Sequence, residues 1–436
     1  MTPETPSRSM TLVATGDSIA ARRLVIPADP AARALFDLVR GADVAFTNLE
    51  IVLSDRIGPP SDQMNLSADA EVAHDLRGLG FDIVGIANNH TWNYGPVGIR
   101  RTVAALRHAG LAHAGAGRNL HEARRPAFFE TPKGRVALVA AASTFAAGQQ
   151  ATDQRADAPG RPGLNPQRYE TTYVVDPPAM EHLRRVAERT GLDKARRRMI
   201  ERGTASESKR DELSMLGATF REGADFAVTS VPHAGDLAEN LRWIRDARRF
   251  ADLVLVSMHC HEVEGEKGMP PRFLIEFARA CIDAGADAFI GHGPHALRGL
   301  EIHAGKPIFY SLGNFFYQAE FATQLPGDNY VSREMQQMTM AEFHDHFTDA
   351  DTKGPPVDRA NWESVLPLCT FEDGRLTRLE VLPLTLGFGS PLPRRGSPRL
   401  ASGALAREIL ASFRDLSTPF GTALDLRADR AVVALP

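Results

Sequence analysis

The feature that most constrains this chain is a repeated order of apolar strand, polar tip and helix. The first part of the chain has four apolar, strand-like segments, which are MTLVATG (10–16), DVAFTNLE (43–50), FDIVGIANNH (81–90) and RVALVAA (135–141). Segments with helical apolar spacing, such as AARALFDLVRGA and AEVAHDLRGLG, lie between them. The same rhythm resumes with FADLVLVSMHCH (250–261) and DAFI (287–290). This alternation predicts an α/β protein with a mostly parallel sheet that is covered by helices.

The interruptions of this rhythm predict how the chain is divided. We expect a single domain over residues 1–436, with an insertion, a flap and a C-terminal extension around one core. The insertion is rich in Gln, Arg, Asp and Pro and predicts one or two surface helices. Two hairpins are expected, with turns at Ala304–Gly305 and Asp373–Gly374. The parts are the core at about 10–145 and 250–390, the polar insertion at about 146–248, the flap at about 318–362 and the extension at about 391–436.

The composition excludes several classes of protein. The chain is 43% hydrophobic and 24% charged with a net charge of −4, which is typical of a soluble globular protein and argues against a nucleic-acid partner. Its three cysteines form no CxxC pair, so a disulfide framework is not expected. No apolar stretch has the length of a signal peptide or of an integral membrane segment. We therefore expect a cytoplasmic protein.

Side chains that bind metals or carry protons follow the predicted strands. In an open α/β sheet, ligands bind beyond the carboxyl ends of the strands, where the loops converge. Oxygen and imidazole donors without a thiolate suit Mn, Fe, Zn, Mg or Ca. The sequence therefore predicts a metal site at one sheet edge. Its strand-end residues are Asp17, Asn48, Glu50, Asn89, His90, His259, His261, His292 and His295.

The segment GHGPH (291–295) is the sharpest of these signals. Glycine allows close backbone approach and proline fixes the turn, so both imidazoles can point at one location. In HCHE (259–262), strand alternation sends His259 and His261 to one face and Cys260 to the other.

Each signal has a structural alternative. Asp17 and Asn48 are also suited to capping a helix or strand end. Cys260 is either a nucleophile, which requires a lowered pKa, or a small buried thiol. We interpret as non-functional the remaining polar-loop and surface histidines, which are His108, His113, His303, His344 and His346.

The order of these motifs resembles the CapA family of poly-γ-glutamate capsule synthesis proteins. GD, NLE, ANNHxxxYG, the strand-end histidine, GHGPH and GKPIFYSLGNF occur in that order over residues 10–145 and 250–318. Gly305, Lys306, Pro307, Gly313 and Asn314 belong to the last motif. The resemblance implies a calcineurin-like metallophosphatase fold, a four-layer α/β/β/α sandwich with insertions.

The resemblance also implies a set of site residues. It makes Asp17, Glu50, Asn89, His259, His292 and His295 the metal ligands for one or two divalent ions, and His90, His295 and Asp17 the catalytic residues. Asn48 stands where metallophosphatases usually have a bridging carboxylate, and Ile19 where many have a ligand histidine. Asn93 replaces a family aspartate, and HCHEV replaces HWGxE, with Glu262 or Glu264 as the substitute acid. We assign substrate binding to Asn48, Asn93, His261 and Glu262.

Three functions fit these residues. The first is a metal-dependent hydrolase that acts on poly-γ-glutamate or a related peptidic substrate, with a histidine as general acid or base. The second is a metal-dependent peptide epimerase, since the resemblance extends to a lasso-peptide epimerase. In that case His90 and His295 would move an α-proton. The third is a non-catalytic binding or assembly subunit of a polymer-making complex. The insertion and the flap are expected to set substrate choice in each case.

Overall fold

The protein is described by a computed structural model covering residues 9–26, 28–60, 65–209, 211–266, 268–322 and 325–435. The strands of this structure are β1 (Ser9–Ile19), β2 (Val44–Leu49), β3 (Val52–Leu53), β4 (Ser67–Ala68), β5 (Ile83–Gly85), β6 (Ala112–Ala114), β7 (Ala116–Gly117), β8 (Ala127–Thr131), β9 (Gly134–Ala142), β10 (Gly163–Leu164), β11 (Tyr169–Val175), β12 (Glu212–Met215), β13 (Ala218–Glu222), β14 (Ala227–Pro232), β15 (Leu253–His259), β16 (Ala288–His292), β17 (Leu297–His303), β18 (Lys306–Leu312), β19 (Asn314–Tyr317), β20 (Glu363–Glu372), β21 (Arg375–Thr385), β22 (Arg399–Leu400), β23 (Leu424–Leu426) and β24 (Ala431–Val433).

Helices connect and cover these strands. The α-helices are α1 (Pro30–Gly41), α2 (Val72–Leu79), α3 (Gly95–His108), α4 (Leu120–Arg124), α5 (Pro177–Thr190), α6 (Leu192–Glu201), α7 (Ala234–Arg248), α8 (Arg272–Asp283), α9 (Met340–Thr348) and α10 (Gly403–Ser417). Short 3-10 helices lie at Ala319–Phe321, Gly327–Asn329, Met335–Gln337, Arg359–Trp362, Leu392–Arg394 and Thr418–Phe420.

Two large sheets face each other. The first has the order β23-β24-β21-β20-β1-β2-β5-β6, and β19 also pairs with β1. Within it β1, β2, β5 and β6 run parallel, whereas β20 and β21 join as an antiparallel hairpin. The second sheet has the order β17-β18-β16-β15-β9-β8, with β9, β15, β16 and β18 parallel. The carboxyl ends of the parallel strands from both sheets meet at one end of the molecule.

The layers confirm the predicted α/β/β/α sandwich. Apolar side chains from both sheets, among them Phe46 and Leu255, form one buried core between the sheets. The outer face of the first sheet packs against α1, α2 and α3, with Phe36 fully inside that contact. The outer face of the second sheet packs against α7 and α8 through residues such as Ile244 and Phe277. Each helix therefore buries one apolar stripe against a sheet.

The local expectations are confirmed at both hairpins. Ala304 and Gly305 have φ angles of 50° and 75°, and Asp373 and Gly374 have φ angles of 48° and 76°. Two successive residues with positive φ form the turn type that suits a two-residue hairpin.

The third predicted strand is shorter than expected, because β5 ends at Gly85. The polar run after it satisfies its own backbone: the Thr91 hydroxyl donates to the Ile86 carbonyl at 2.6 Å and accepts from the Asn88 amide at 2.9 Å. Such side-chain bonds compete with strand pairing.

The insertion differs from its prediction. It contains a four-stranded sheet with the order β12-β13-β11-β14 in addition to the helices α5 and α6. Strands such as YETTYVV contain several polar residues and therefore lack the alternation of apolar and polar residues by which a strand is predicted from sequence. Helix α7 lies within our predicted boundary of 146–248 but packs on β9 and β15, so it belongs to the core.

The flap and the extension also take defined positions. Within the described part of residues 318–362 the secondary structure consists of 3-10 helices and α9. In the extension, β22, β23 and β24 add strands to the first sheet beside β21. Helix α10 places apolar residues such as Phe413 between the two sheets. Among the described residues, no helix has the length and apolar character needed to cross a bilayer.

Candidate metal centre

Six side chains converge where the two sheets end. Asp17 lies near the end of β1, Glu50 directly follows β2, and His259 and His292 are the last residues of β15 and β16. His259 and His292 are opposite each other in the register of the parallel pair. His261 and His295 follow on the adjoining loops. The six residues form two groups of three potential ligands, Asp17 with His259 and His292, and Glu50 with His261 and His295.

The first group has the spacing of ligands around one ion. Oδ1 of Asp17 lies 3.2 Å from Nδ1 of His292 and 3.6 Å from Nδ1 of His259, and the two imidazole nitrogens are 3.0 Å apart. Ligands about 2.1 Å from a metal ion are roughly 3.0 to 3.4 Å apart at octahedral or tetrahedral angles. All three side chains are fully buried.

The second group is built around a carboxylate without a hydrogen-bond partner. Glu50 is fully buried, and neither of its carboxylate oxygens has a hydrogen-bond partner within the described residues. Oε1 lies 3.8 Å from Nε2 of both His261 and His295, and 3.6 Å from Nε2 of His259. A buried, unpaired carboxylate is costly unless a cation or a proton compensates it. The residues present therefore fit a divalent cation at this position.

The protonation tendencies agree with a ligand role. Although burial acts against it, the neighbouring His292 and His259 hold the pKa of Asp17 well below its ordinary value. Burial, and next the repulsion from Asp17, raise the pKa of Glu50 well above its ordinary value. Burial lowers the pKa of His259 to about 4 and that of His261 to about 2. These two imidazoles are thus neutral at physiological pH, as metal binding requires.

Neighbouring side chains orient two of the histidines. Nε2 of His292 lies 2.8 Å from the Ser257 hydroxyl, which leaves Nδ1 directed at Asp17. Nδ1 of His295 donates to Oδ1 of Asn314 at 2.8 Å, while the Asn314 amide donates to the Asn361 carbonyl at 3.0 Å. Such partners of the ring nitrogen opposite the ligand atom fix the tautomer of metal-binding histidines.

His90 is held next to the centre but outside both groups. Oδ1 of Asn93 accepts two hydrogen bonds, one from the Leu66 backbone amide at 2.9 Å and one from Nδ1 of His90 at 2.8 Å. Nε2 of His90 consequently faces Glu50, 4.0 Å from Oε1. Asn93 therefore retains an orienting contact at the position of the family aspartate, without its charge.

The glycines of the site are required by close backbone approach. The Gly293 amide donates to Oδ2 of Asp17 at 2.7 Å with φ at +120°, and a Cβ there would lie 2.8 Å from the Cys260 amide nitrogen. A Cβ on Gly16 would lie 1.8 Å from the Gly313 carbonyl oxygen. His295 itself has a φ of 53°, which directs its ring back toward Glu50.

The other predicted site residues lie around this centre in different roles. Asn48 is fully buried and donates to Oδ1 of Asp17 at 2.7 Å, which places it behind Asp17. Oδ1 of Asn89 is buried and has no hydrogen-bond partner in the described part of the chain, and the ligand role of Asn89 stays a prediction. The Glu262 carboxylate accepts from the Ser143 and Thr144 hydroxyls at 2.6 and 3.0 Å. Glu262 thus fixes the loop beside His261 and lies outside both ligand groups.

Sequence reasoning missed part of the site. His261 was predicted to bind substrate, whereas the structure brings it into the Glu50 group. The strand alternation that puts His259 and His261 on one face was the available signal. Ser257, which lies two residues before His259 on the same face of β15, had no signal of its own.

Two competing interpretations do not fit the structure. The Cys260 side chain is buried, and this burial raises the pKa of its thiol to about 12, so the structure favours the buried-thiol alternative. Glu320, His344 and Asp351 form a third group of possible ligands. However, the buried Arg395 guanidinium already pairs with both carboxylates of that group, with Glu320 at 2.7 Å and with Asp351 at 2.8 Å.

The chain is similar to a family of bacterial proteins and to several individual relatives. The family described as bacterial capsule synthesis protein PGA_cap matches residues 11–319. An uncharacterised protein of Sinorhizobium fredii, y4sH, is 35% identical over 430 residues, which cover 95% of this chain and 91% of that protein. The capsule biosynthesis protein CapA of Bacillus anthracis is 26% identical over 254 residues, which cover 58% of this chain and 44% of that protein. The NAD nucleotidase NadN of Haemophilus influenzae aligns with 94% of this chain and 56% of its own, at 8% identity and a TM-score of 0.38.

Proposed function

Because this chain belongs to the PGA_cap family of bacterial capsule synthesis proteins, we propose that it is a metal-dependent hydrolase of poly-γ-glutamate or a related peptidic polymer. The observation that carries this proposal is the pair of adjacent groups of potential ligands. Oε1 of Glu50 in one group lies 3.6 Å from Nε2 of His259 in the other. Two neighbouring cation positions beside one proton-carrying side chain are an arrangement suited to hydrolysis.

The ligands divide between the two positions. Asp17, His259 and His292 would hold one divalent ion, and Glu50, His261 and His295 the other. Ions bound there supply Lewis acidity, which polarises a carbonyl or phosphoryl oxygen and lowers the pKa of water. The neutral imidazoles of His259 and His261 keep their lone pairs available for binding, because burial holds their pKa values low.

His90 is the residue that would move the proton. Its Nδ1–H is held by Asn93, so Nε2 is the atom that exchanges a proton with the leaving group. Its side chain is 9% exposed, so bulk water competes little for that proton. General acid–base groups of this kind contribute about 10²- to 10⁴-fold to the rate.

The position of His295 bears on the epimerase alternative. The two-base epimerase considered above needs a second proton carrier besides His90. His295 has Nδ1 committed to Asn314 and Nε2 directed at Glu50, so it counts as a ligand in this arrangement. His90 then remains as the single proton-carrying side chain of this arrangement, and one such side chain favours hydrolysis over two-base epimerisation.

The test uses the purified full chain loaded with Mn²⁺ or Zn²⁺ and incubated with poly-γ-glutamate. We expect the polymer to shorten, as followed by size-exclusion chromatography, and His90→Gln to lower kcat by about 10²- to 10⁴-fold while leaving the bound metal unchanged. Wash-in of deuterium at the α-carbon without shortening would replace this proposal with the epimerase. Polymer binding without either reaction would replace it with the assembly subunit.

A further inference from the structure

A cavity lined by several charged side chains lies at the same end of the first sheet as the candidate metal centre. It measures about 460 Å³ and is bordered by the segment after β1, the start of α1, β19 and the loop before β22. Four arginines and one aspartate contribute its charged groups, which are Arg22, Arg23, Arg394, Arg399 and Asp29. We call this cavity the arginine pocket. It is strongly positive in a chain whose net charge is −4.

Two of its cations are not neutralised. Arg399 lies 3.5 Å from Asp29, and Arg23 pairs with Asp75 at 2.7 Å. Arg22 and Arg394 make no ion pair with any carboxylate of the described chain, which leaves their charges available to a ligand.

Arg22 is also partly buried. Its guanidinium lies 4.0 Å over the Phe321 ring, which fixes its position at the cavity wall. Burial lowers the pKa of Arg22, because no nearby carboxylate offsets the cost of its charge. A preordered cation of this kind gains from an incoming anion more than a solvated one does.

The arginine pocket adjoins the metal centre through β19. The Phe316 and Gln318 side chains border the pocket, and the ring of the intervening Tyr317 faces His295 at a centroid distance of 5.5 Å. The backbone amide of Gln318 donates to the carbonyl of Ile19, which lies two residues after Asp17, at 3.0 Å. Because Asp17 and Arg22 are five residues apart, their Cα atoms lie within about 18 Å of each other.

We propose that the arginine pocket is a subsite for the carboxylates of an anionic polymer, remote from the reacting bond. This inference rests on the proposed function, which supplies a polymer with one carboxylate in each repeat. An extended γ-glutamyl repeat has five backbone bonds and spans roughly 6 Å, so about three repeats reach from the pocket to the metal centre. Arg22 and Arg394 pair with carboxylates there, while Arg23 and Arg399 stay with their own aspartates.

The experiment measures binding without metal, so that it does not depend on hydrolysis. A fluorescently labelled γ-linked glutamate oligomer is titrated with the full chain in EDTA, and anisotropy gives Kd. We expect Arg394→Gln to raise Kd by about tenfold and the double variant Arg22→Gln/Arg394→Gln to raise it further. Arg394 is exposed, so its single variant keeps the fold. Arg107→Gln, at an exposed position on α3, removes the same charge elsewhere and should bind as the wild type does.

Two outcomes would overturn the inference. The first is equal Kd values for the wild type and both pocket variants. The second is tighter binding of inorganic polyphosphate than of the glutamate oligomer, lost in the same variants, which would make the pocket a phosphate site. Failure of the proposed function looks different: the metal-loaded wild type would leave the polymer intact although the pocket variants still weaken binding.

Discussion

In the proposed metal-dependent enzyme, Glu50 is the side chain that would couple the stability of the protein to cation binding. It is fully buried, its oxygens have no hydrogen-bond partner among the described residues, and Asp17 adds repulsion. A ligand that binds only the folded state stabilises it by an amount that rises with the logarithm of its concentration relative to Kd. Removing the charge of Glu50 should therefore stabilise the metal-free protein and weaken its affinity for metal.

We predict that Glu50→Gln weakens metal binding at the Glu50–His261–His295 position by more than about tenfold, because the only charged ligand of that group is lost. The same change should raise the Tm of the metal-free protein at neutral pH, since the folded state no longer has to bury this carboxylate or bind a proton to neutralise it. Isothermal titration calorimetry gives the affinity and scanning calorimetry in EDTA gives Tm. Glu181→Gln, which changes an exposed carboxylate on α5, is the matched control. A Glu50→Gln protein that binds two ions as tightly as the wild type would refute the assignment.

The buried histidines predict a pH dependence of the metal-free protein. Burial lowers the pKa of His259 to about 4, whereas an unfolded histidine titrates near pH 6.5. The unfolded state therefore binds more protons between these values, so stability falls as pH falls from about 6.5 to 4. His261, with a pKa of about 2, contributes in the same direction. Glu50 opposes this loss, because its raised pKa lets the folded state bind a proton first.

We expect Glu50→Gln to lose stability more steeply than the wild type between pH 6.5 and 5, by up to about 1.4 kcal/mol per pH unit for each proton involved. Urea unfolding in EDTA at several pH values gives the two slopes. Equal slopes would mean that Glu50 ionises as an ordinary carboxylate and that our account of its environment is wrong.

At the scale of elements, the loop from β15 to α8 shows how the fold positions a ligand. Arg298 on β17 is fully buried and donates to the carbonyls of Cys260 and Glu262, which flank His261, at 3.2 and 2.6 Å. The Thr144 hydroxyl accepts from the His261 amide at 2.8 Å. Backbone contacts around His261 thus come from β17 and from the segment that follows β9.

We predict that Arg298→Met weakens metal binding at the Glu50–His261–His295 position by about 10- to 100-fold and leaves the Asp17 group nearly unchanged. The reason is that the carbonyls next to His261 lose their donors, whereas His259 and His292 remain within regular strands. Calorimetric titration resolves the two affinities, and Arg298→Lys, which keeps one donor group, should recover part of the loss. An equal loss at both positions would contradict a local role of Arg298.

The same scale explains how far the sequence predicted the site. Strand ends and the GHGPH turn predicted Asp17, Glu50, His259, His292 and His295 as neighbours at one sheet edge. They are neighbours, but the two carboxylates come from the first sheet and the histidines from the second. The sequence could not assign the partners of the ring nitrogens. Asn314 lies on a different strand from His295 and Asn93 is three residues from His90, so these contacts depend on side-chain direction rather than on periodicity.

At the scale of the whole molecule, the C-terminal part completes the sandwich. Helix α10 packs on β17 of the second sheet and β21 of the first, with Ile409, Leu410 and Phe413 fully buried. The sequence predicted this helix as part of an extension, although it fills the space between the two sheets. The match to the PGA_cap family ends at residue 319, before this helix and before β20 and β21.

We expect Phe413→Ala to lower the free energy of unfolding by about 3 to 5 kcal/mol, because it leaves a cavity between the sheets. Arg407→Ala, on the exposed face of the same helix, should change it by less than about 0.5 kcal/mol. Denaturant unfolding measures both values. A small effect of Phe413→Ala would mean that α10 is an appendage, as the sequence-based division implied.

The sequence by itself determined the family, the alternation of strands and helices, both hairpin turns and the residue types at the strand ends. These features are local, since they follow from side-chain periodicity and from the φ angles that turn residues accept. Only the tertiary structure decided that six potential ligands divide into two groups, that His261 lies with Glu50, and that α7 and α10 belong to the core. The physical reason is that Asp17 and His292 are brought together by the packing of two sheets against one core. That packing depends on contacts between residues far apart in the chain, which no local pattern encodes.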